Sequence, residues 1–109
     1  EHIKVINNVE TLIMKLDNKD TNLLKSIADE LINEMNNAFI FFINIKEDNS
    51  VNFIAKSTSF VNAGLIVKDA SISSNGNGGG SPKFAQGGGK TSKNINEIIK
   101  HIEKVINNE

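Results

Sequence analysis

Apolar positions along this chain repeat with two different periods, and the change of period marks out its elements. Between about Thr21 and Met35, Leu24, Ile27, Leu31 and Met35 recur at three- and four-residue steps. Leu23, Ala28 and Ile32 widen that stripe, and the spacing predicts an amphipathic helix. Asp20 or Thr21 suits its start and Asn36-Asn37 its end. A second helix is expected from about Asn62 to Ile72. A third is expected over Ile95 to Asn107, where Ile95, Ile98, Ile99, Ile102, Val105 and Ile106 form the stripe. Asn94 followed by Glu97 three residues on reads as a capping box for it. Shorter, denser apolar runs read as strands. They are Val9–Leu16, Ala38–Lys46 and Val51–Ser57, with Asp17–Asp20 and Glu47–Ser50 as polar turns. Ala38–Lys46 is apolar on both faces in its first half, as a central strand would be. The short link to Val51 makes the pair an antiparallel hairpin.

The order is strand, helix, strand, strand, helix, glycine-rich loop, helix. It predicts an α/β fold with helices packed on a mixed β-sheet. Phe84-Ala85-Gln86, between two glycine clusters, has room to add a short strand. Residues 1–8 read as a lead-in from a preceding region, and residues 9–109 as the domain. At 109 residues one domain is the default. Phe39, Phe41, Phe42, Phe53 and Phe60 sit on or beside strands and are assigned to the core. His101 is placed on the solvent side of the third helix.

Composition narrows the chemistry. There is no cysteine, which removes disulfides and thiolate metal sites. His2 and His101 are too far apart in sequence to suggest a metal pair. The run Ala38–Ile45 is too short to cross a bilayer. Glu1–Glu10 is polar and does not read as a signal peptide, so the address expected is cytoplasmic. The missing initial Met suggests a piece of a longer protein. The chain is rich in Asn, Ile and Lys, which reads as compositional bias. Net charge is −1, so the chain as a whole is no polycation. Its distribution is uneven, however. From Ala70 to Asn96 there are three lysines, Lys83, Lys90 and Lys93, and no acid.

That acid-free stretch also holds seven of the eight glycines, in NGNGGGSPKFAQGGGKTS, residues 75–92. Its end, Gly89-Lys90-Thr91, matches the tail of a nucleotide-binding P-loop. The motif needs a further glycine at position 84, which is Phe84, and a strand immediately before the loop, where a helix is expected. A flexible linker would explain the glycines. It would not explain Pro82 and Phe84 between them, or the patterned helix that follows. The third reading is an anion site lined by backbone. Consecutive N–H groups without side chains in the way attract phosphate. Lys83, Lys90 and Lys93 supply cations, and the start of the third helix adds positive dipole charge.

The same residues carry a family resemblance. The stretch 75–89, NGNGGGSPKFAQGGG, resembles the glycine-rich signature G-G-x-G-G-G-R-P-D-x-A-Q-x-G-G at the C-terminal end of alanyl-tRNA synthetases. Ala63-Gly64 with Val67-Lys68 resembles the A-G-x-x-[VI]-K segment of the same region. The chain is therefore similar, over roughly residues 9–107, to the DHH-associated domain. That domain also ends the DHH phosphoesterases.

The resemblance implies a non-catalytic tRNA-binding domain that contacts the outer corner of tRNA-Ala. It would support aminoacylation and editing by other domains of the synthetase. ATP, Mg and Zn are implied for that parent and no cofactor for this segment. A helical segment that precedes the domain in the family promotes dimerisation in some members, so a homodimer through the parent chain is a further expected partner. The candidate nucleic-acid-binding residues are Lys68, Gly78, Gly79, Gly80, Lys83, Gln86, Gly87, Gly88, Gly89, Lys90 and Lys93. The chain departs from the signature at Asn75, Asn77, Ser81 and Lys83, the last two replacing the Arg and Asp that flank the proline. A bidentate arginine contact to phosphate is thereby lost. Two alternatives stand beside this reading: the substrate-binding domain of a DHH phosphoesterase, and a dimerisation module. The phosphoesterase version typically carries a histidine in its glycine loop, and this chain has none there.

Overall fold

The computed structural model describes residues 3–108; Glu1, His2 and Glu109 lie outside them. The elements follow as β1 (Lys4–Ile6), β2 (Val9–Asp17), α1 (Thr21–Glu34), β3 (Ala38–Ile45), β4 (Val51–Ser57), α2 (Ala63–Ser73), β5 (Asn77–Gly80), β6 (Phe84–Gly89) and α3 (Ile95–Asn107). The six strands form a single sheet in the order β1-β2-β3-β4-β6-β5. β2 and β3 are parallel, as the intervening α1 crossover allows, and the other neighbours are antiparallel. This is the expected α/β architecture on a mixed sheet. Two things are added to it. Lys4–Ile6, placed by sequence in a lead-in, pairs with β2 at one edge of the sheet. The glycine-rich loop is itself a hairpin, β5–β6, at the other edge.

Helices cover both faces. On one side Leu24, Ala28 and Ile32 of α1 pack on Leu12, Ile40, Phe42 and Ile54. On the other, α2 and α3 cover Phe39, Phe41, Ile43, Phe53 and Ala55. β3 alternates between the two cores, which is why its sequence is apolar throughout. Phe41 stacks between Phe39 and Phe53, at centroid distances of 6.2 and 5.5 Å. Phe60, assigned to the core from its neighbours, is instead 48% exposed in the bend before α2. Burial on α1 also centres on Leu24, Ala28 and Ile32, leaving Leu23 exposed.

The ends of the helices follow local chemistry. Asp20 caps α1 by accepting the Leu23 N–H at 3.0 Å, and Asn62 caps α2 by accepting that of Leu65 at 3.1 Å. The capping box expected of Asn94 and Glu97 does not form. The Asn94 amide instead donates to the Ser73 carbonyl at 2.9 Å, satisfying an orphan acceptor at the end of α2. The abundant asparagine also has a structural use. Six of them, Asn7, Asn8, Asn18, Asn37, Asn49 and Asn75, take positive φ at turns, where Asn is better tolerated than most residues.

Asn44 is the one amide within the apolar run of β3, and it is buried. Its Oδ1 accepts the Lys19 N–H and its Nδ2 donates to the Lys19 carbonyl, both at 2.9 Å. That pair latches the β2–α1 turn to the sheet. Asn44→Ala should cost about 1–3 kcal/mol, because both Lys19 groups lose their partner. In a chain of this size each kcal/mol lowers the thermal midpoint by about 4–8 °C. An unchanged midpoint would show that the latch contributes nothing.

Candidate nucleic-acid interface

The glycine hairpin is built around close approach to α2. Val67 and Ser71 of α2 lie directly on its backbone. A Cβ placed on Gly87 would fall 2.4 Å from Ser71 Oγ and 2.7 Å from Gly78 Cα. One placed on Gly78 would fall 2.6 Å from Ser71 Oγ and 2.5 Å from Gly87 Cα. At the other end of the helix, Gly64 faces the Gly80 carbonyl, and its Cβ would meet that oxygen at 2.5 Å. The Ala63-Gly64 and glycine-rich segments are thus two sides of one contact.

Strand alternation divides the candidate glycines between two surfaces. Gly78, Gly80, Ala85, Gly87 and Gly89 belong to the side covered by α2, where Ala85 joins the α2–α3 core. Asn77, Gly79, Phe84, Gln86 and Gly88 belong to the opposite side. There α1 packs chiefly over β3 and β4 and leaves the end of the hairpin open. Asn77 and Gln86 are exposed, and Gly79 and Gly88 are partly so. The register places Asn52 of β4 beside Gly88, and Gly88 beside Asn77. The result is a flat strip of backbone set with carboxamides. Asn52 and Asn77 were not among the sequence candidates. The alternation of VNFIAKS, which puts Asn52 on one face with Ile54 and Lys56, was the available signal for the first.

Phe84, half-buried at the inner end of this strip, packs against the α1 core. Lys56 Nζ sits 5.6 Å from its ring centroid and also pairs with Asp29. The aromatic ring is therefore an anchor for the hairpin.

The candidate lysines are not gathered at one point. Lys83 lies in the turn between β5 and β6, while Lys90 follows the far end of β6 and Lys93 the loop beyond it. The six residues of β6 separate Lys83 from Lys90, or roughly 20 Å. Lys68 is exposed on α2. No single phosphate can be reached from both ends of the hairpin, whereas a polymer of phosphates can.

The same geometry disposes of the P-loop. Gly89 ends a strand, and the N–H groups of Lys90 and Thr91 both point at the Ser74 carbonyl, at 2.7 and 3.3 Å. In a phosphate cradle those donors would face the ligand. Among the described residues no group of three or more His, Asp or Glu could hold a metal ion. A groove of about 370 Å³ between α2 and α3 has an apolar floor of Ile66, Ala70, Ile98 and Ile102. The carboxylates of Asp69 and Glu97 line it, which sets it apart from the acid-free hairpin.

A glycine hairpin clasped by a helix at the edge of a mixed sheet defines a small α/β module. The DHHA1 domain model matches residues 8–108, and the chain belongs to that family. Its curated relatives include the alanine–tRNA ligases of Endomicrobium trichonymphae and Campylobacter jejuni. Each is 34% identical, over 97% and 94% of this chain respectively and 12% of the ligase. The alanine–tRNA ligase of Oceanobacillus iheyensis is 32% identical over 97% of this chain and 12% of its own length. The chain thus spans about an eighth of these relatives. Among solved structures, the C-Ala domain from Aquifex aeolicus alanyl-tRNA synthetase superposes with a TM-score of 0.87. It covers 98% of this chain and 99% of that one at 22% identity, a likeness of fold.

Two substitutions test the clasp in opposite directions. Gly87→Ala forces a methyl group into the α2 contact and should cost about 1–3 kcal/mol. Ser71 Oγ is buried with no hydrogen-bond partner. Ser71→Ala should therefore leave stability unchanged or raise it by up to about 1 kcal/mol. Equal thermal midpoints for Gly87→Ala and the parent would contradict the packing role.

Proposed function

We propose that this domain binds tRNA for a larger alanine–tRNA ligase, using the open face and the two basic ends of the glycine hairpin. The observation that carries the reading is the hairpin itself: an acid-free strip with one face committed to α2 and the other left as accessible backbone and amides. Lysines at both ends supply the charge for a phosphate backbone running along it. The names of the curated relatives point to the same substrate. Gly79, Gln86 and Gly88 would meet the RNA directly. Gly78, Gly80, Gly87 and Gly89 would act by letting α2 hold the strip flat. Lys83, Lys90 and Lys93 would meet phosphates, while Lys68, on α2 behind the strip, falls outside this contact set.

In this reading tRNA-Ala is the RNA, and the other domains of the ligase are the protein partners. ATP, Mg and Zn would serve reactions in those domains. The setting is the cytoplasm, and any pairing of two copies would run through the parent chain.

Binding of a tRNA-Ala transcript across a salt series tests this. With about three lysine contacts the slope of log affinity against log salt should be roughly −2 to −3. Lys83→Ala should reduce that slope by about 1, and the Lys90→Ala/Lys93→Ala pair by about 2. Gln86→Ala should weaken binding with little change of slope. Binding that is absent at low salt, or unaltered when all three lysines are removed, would instead make the hairpin a packing or dimer-forming element.

A further inference from the structure

The chain has two Asn-Gly pairs, Asn75-Gly76 and Asn77-Gly78, side by side at the start of the hairpin. Asparagine followed by glycine is open to attack on its side-chain amide by the next backbone nitrogen, because glycine offers no steric shield. Asparagine is for this reason among the chemically labile residues. The structure treats the two pairs differently. The Gly76 N–H donates to the Ser71 carbonyl at 2.8 Å and the Asn75 N–H to that of Ile72 at 3.1 Å. Gly76 is also wedged against the Gly88 backbone, since a Cβ there would fall 1.9 Å from the Gly88 oxygen. Its nitrogen is held.

The Gly78 nitrogen is not. Hydrogen-bonded pairs alternate along an antiparallel ladder. Ser81 N–H donates to the Phe84 carbonyl at 2.9 Å, and the register runs Gly80↔Ala85, Gly79↔Gln86, Gly78↔Gly87, Asn77↔Gly88. The bonded pairs are therefore Gly79 with Gln86 and Asn77 with Gly88, and Gly78 turns its N–H to the free edge of the sheet. Asn77 is exposed, and its side chain makes no hydrogen bond among the described residues. β5 is a four-residue edge strand, three of them glycine, with a partner on one side only. An edge strand has one ladder to break where an inner strand has two, and its opening gives the reacting atoms the freedom they need.

We propose that Asn77-Gly78 is a self-modification site, where the chain slowly converts the Asn77 carboxamide to a carboxylate while Asn75 is protected. The Gly78 nitrogen loses its proton and bonds to Asn77 Cγ. The Cγ–Nδ2 bond breaks and ammonia leaves with a proton, giving a cyclic imide. Water then adds to one imide carbonyl and reopens the ring as aspartate or isoaspartate. The net change is carboxamide plus water to carboxylate plus ammonium, with no redox step. The product places a negative charge on the open face of a stretch that otherwise has none from Ala70 to Asn96. The isoaspartate form also lengthens the backbone by one atom and disturbs the pairing of Gly78 with Gly87 that α2 packs against. The conversion stands independently of the RNA reading, and only its effect on tRNA affinity rests on that reading.

The test incubates the folded chain in mildly alkaline buffer at physiological temperature and follows both sites by peptide mass mapping. A synthetic peptide of residues 73–90 runs beside it. The peptide should convert at both asparagines. The folded chain should convert at Asn77 well ahead of Asn75, faster as pH rises, and Asn77→Gln should remove the product. Conversion at Asn75 equal to or faster than at Asn77, or a folded chain that stays intact at Asn77 while the peptide converts, would overturn the proposal. Asn77→Asp isolates the charge effect. It should weaken tRNA-Ala binding about two- to fivefold at low salt, as one surface charge does, with the difference shrinking as salt is added. If the wild-type chain binds no tRNA, the mass result still decides the modification, and the RNA reading alone falls.

Discussion

The contact between α2 and the glycine hairpin sets the rest of the arrangement. Val67 and Ser71 sit on the backbone of Gly78 and Gly87 with no room for even a methyl group between them. Because the helix can come that close, β5 and β6 extend the sheet beyond β4 and do not hang from it as a loop. The Ser71 and Ser74 carbonyls then fasten the open end of the hairpin, accepting from Gly76 just before β5 and from Lys90 and Thr91 just after β6. The cost is visible in the buried hydroxyls of Ser71 and Ser74, which have no partner. Small side chains are needed there, and the hydroxyls come with them.

From this follows the division of labour within one short motif. Strand alternation commits every second residue to the helix and leaves the others outward. Gly79, Gln86 and Gly88 form an open surface because Gly78, Gly80, Gly87 and Gly89 are engaged behind it. The length of the strands sets the charge pattern as well. Lys83 and Lys90 lie at opposite ends of β6, a spacing suited to an extended anion and too wide for a nucleotide. A P-loop would need those end donors free, and here they are already spent on Ser74.

Much of this was legible in the sequence. The periods of Leu24–Met35 and Ile95–Ile106 located α1 and α3, and the run Ala38–Lys46 announced a central strand. The signature around Pro82, Ala85-Gln86 and Gly88-Gly89 pointed to the family. Other features were hidden for physical reasons. Glycine has no side chain to alternate, so Asn77–Gly80 carried no strand period and read as a loop. Lys4–Ile6 is too short to show one. Asn94 follows capping chemistry in sequence, yet a tertiary acceptor, the Ser73 carbonyl, takes its side chain. Phe60 looked like core by its neighbours, but those neighbours form a bend that turns it outward. The glycines of the candidate site could be named from sequence, but not sorted by face, because that sorting depends on the position of α2.

RNA bound as proposed meets one face of the hairpin, the side away from α2. Amide shift mapping of the isotope-labelled chain titrated with tRNA-Ala would show which face RNA occupies. Perturbation should concentrate at Asn52, Asn77, Gly79, Gln86 and Gly88, with Lys83 and Lys90 marking its ends. Val67, Ala70 and Ser71 should stay in place. Shifts centred on α2 and α3, or none on the hairpin, would contradict it.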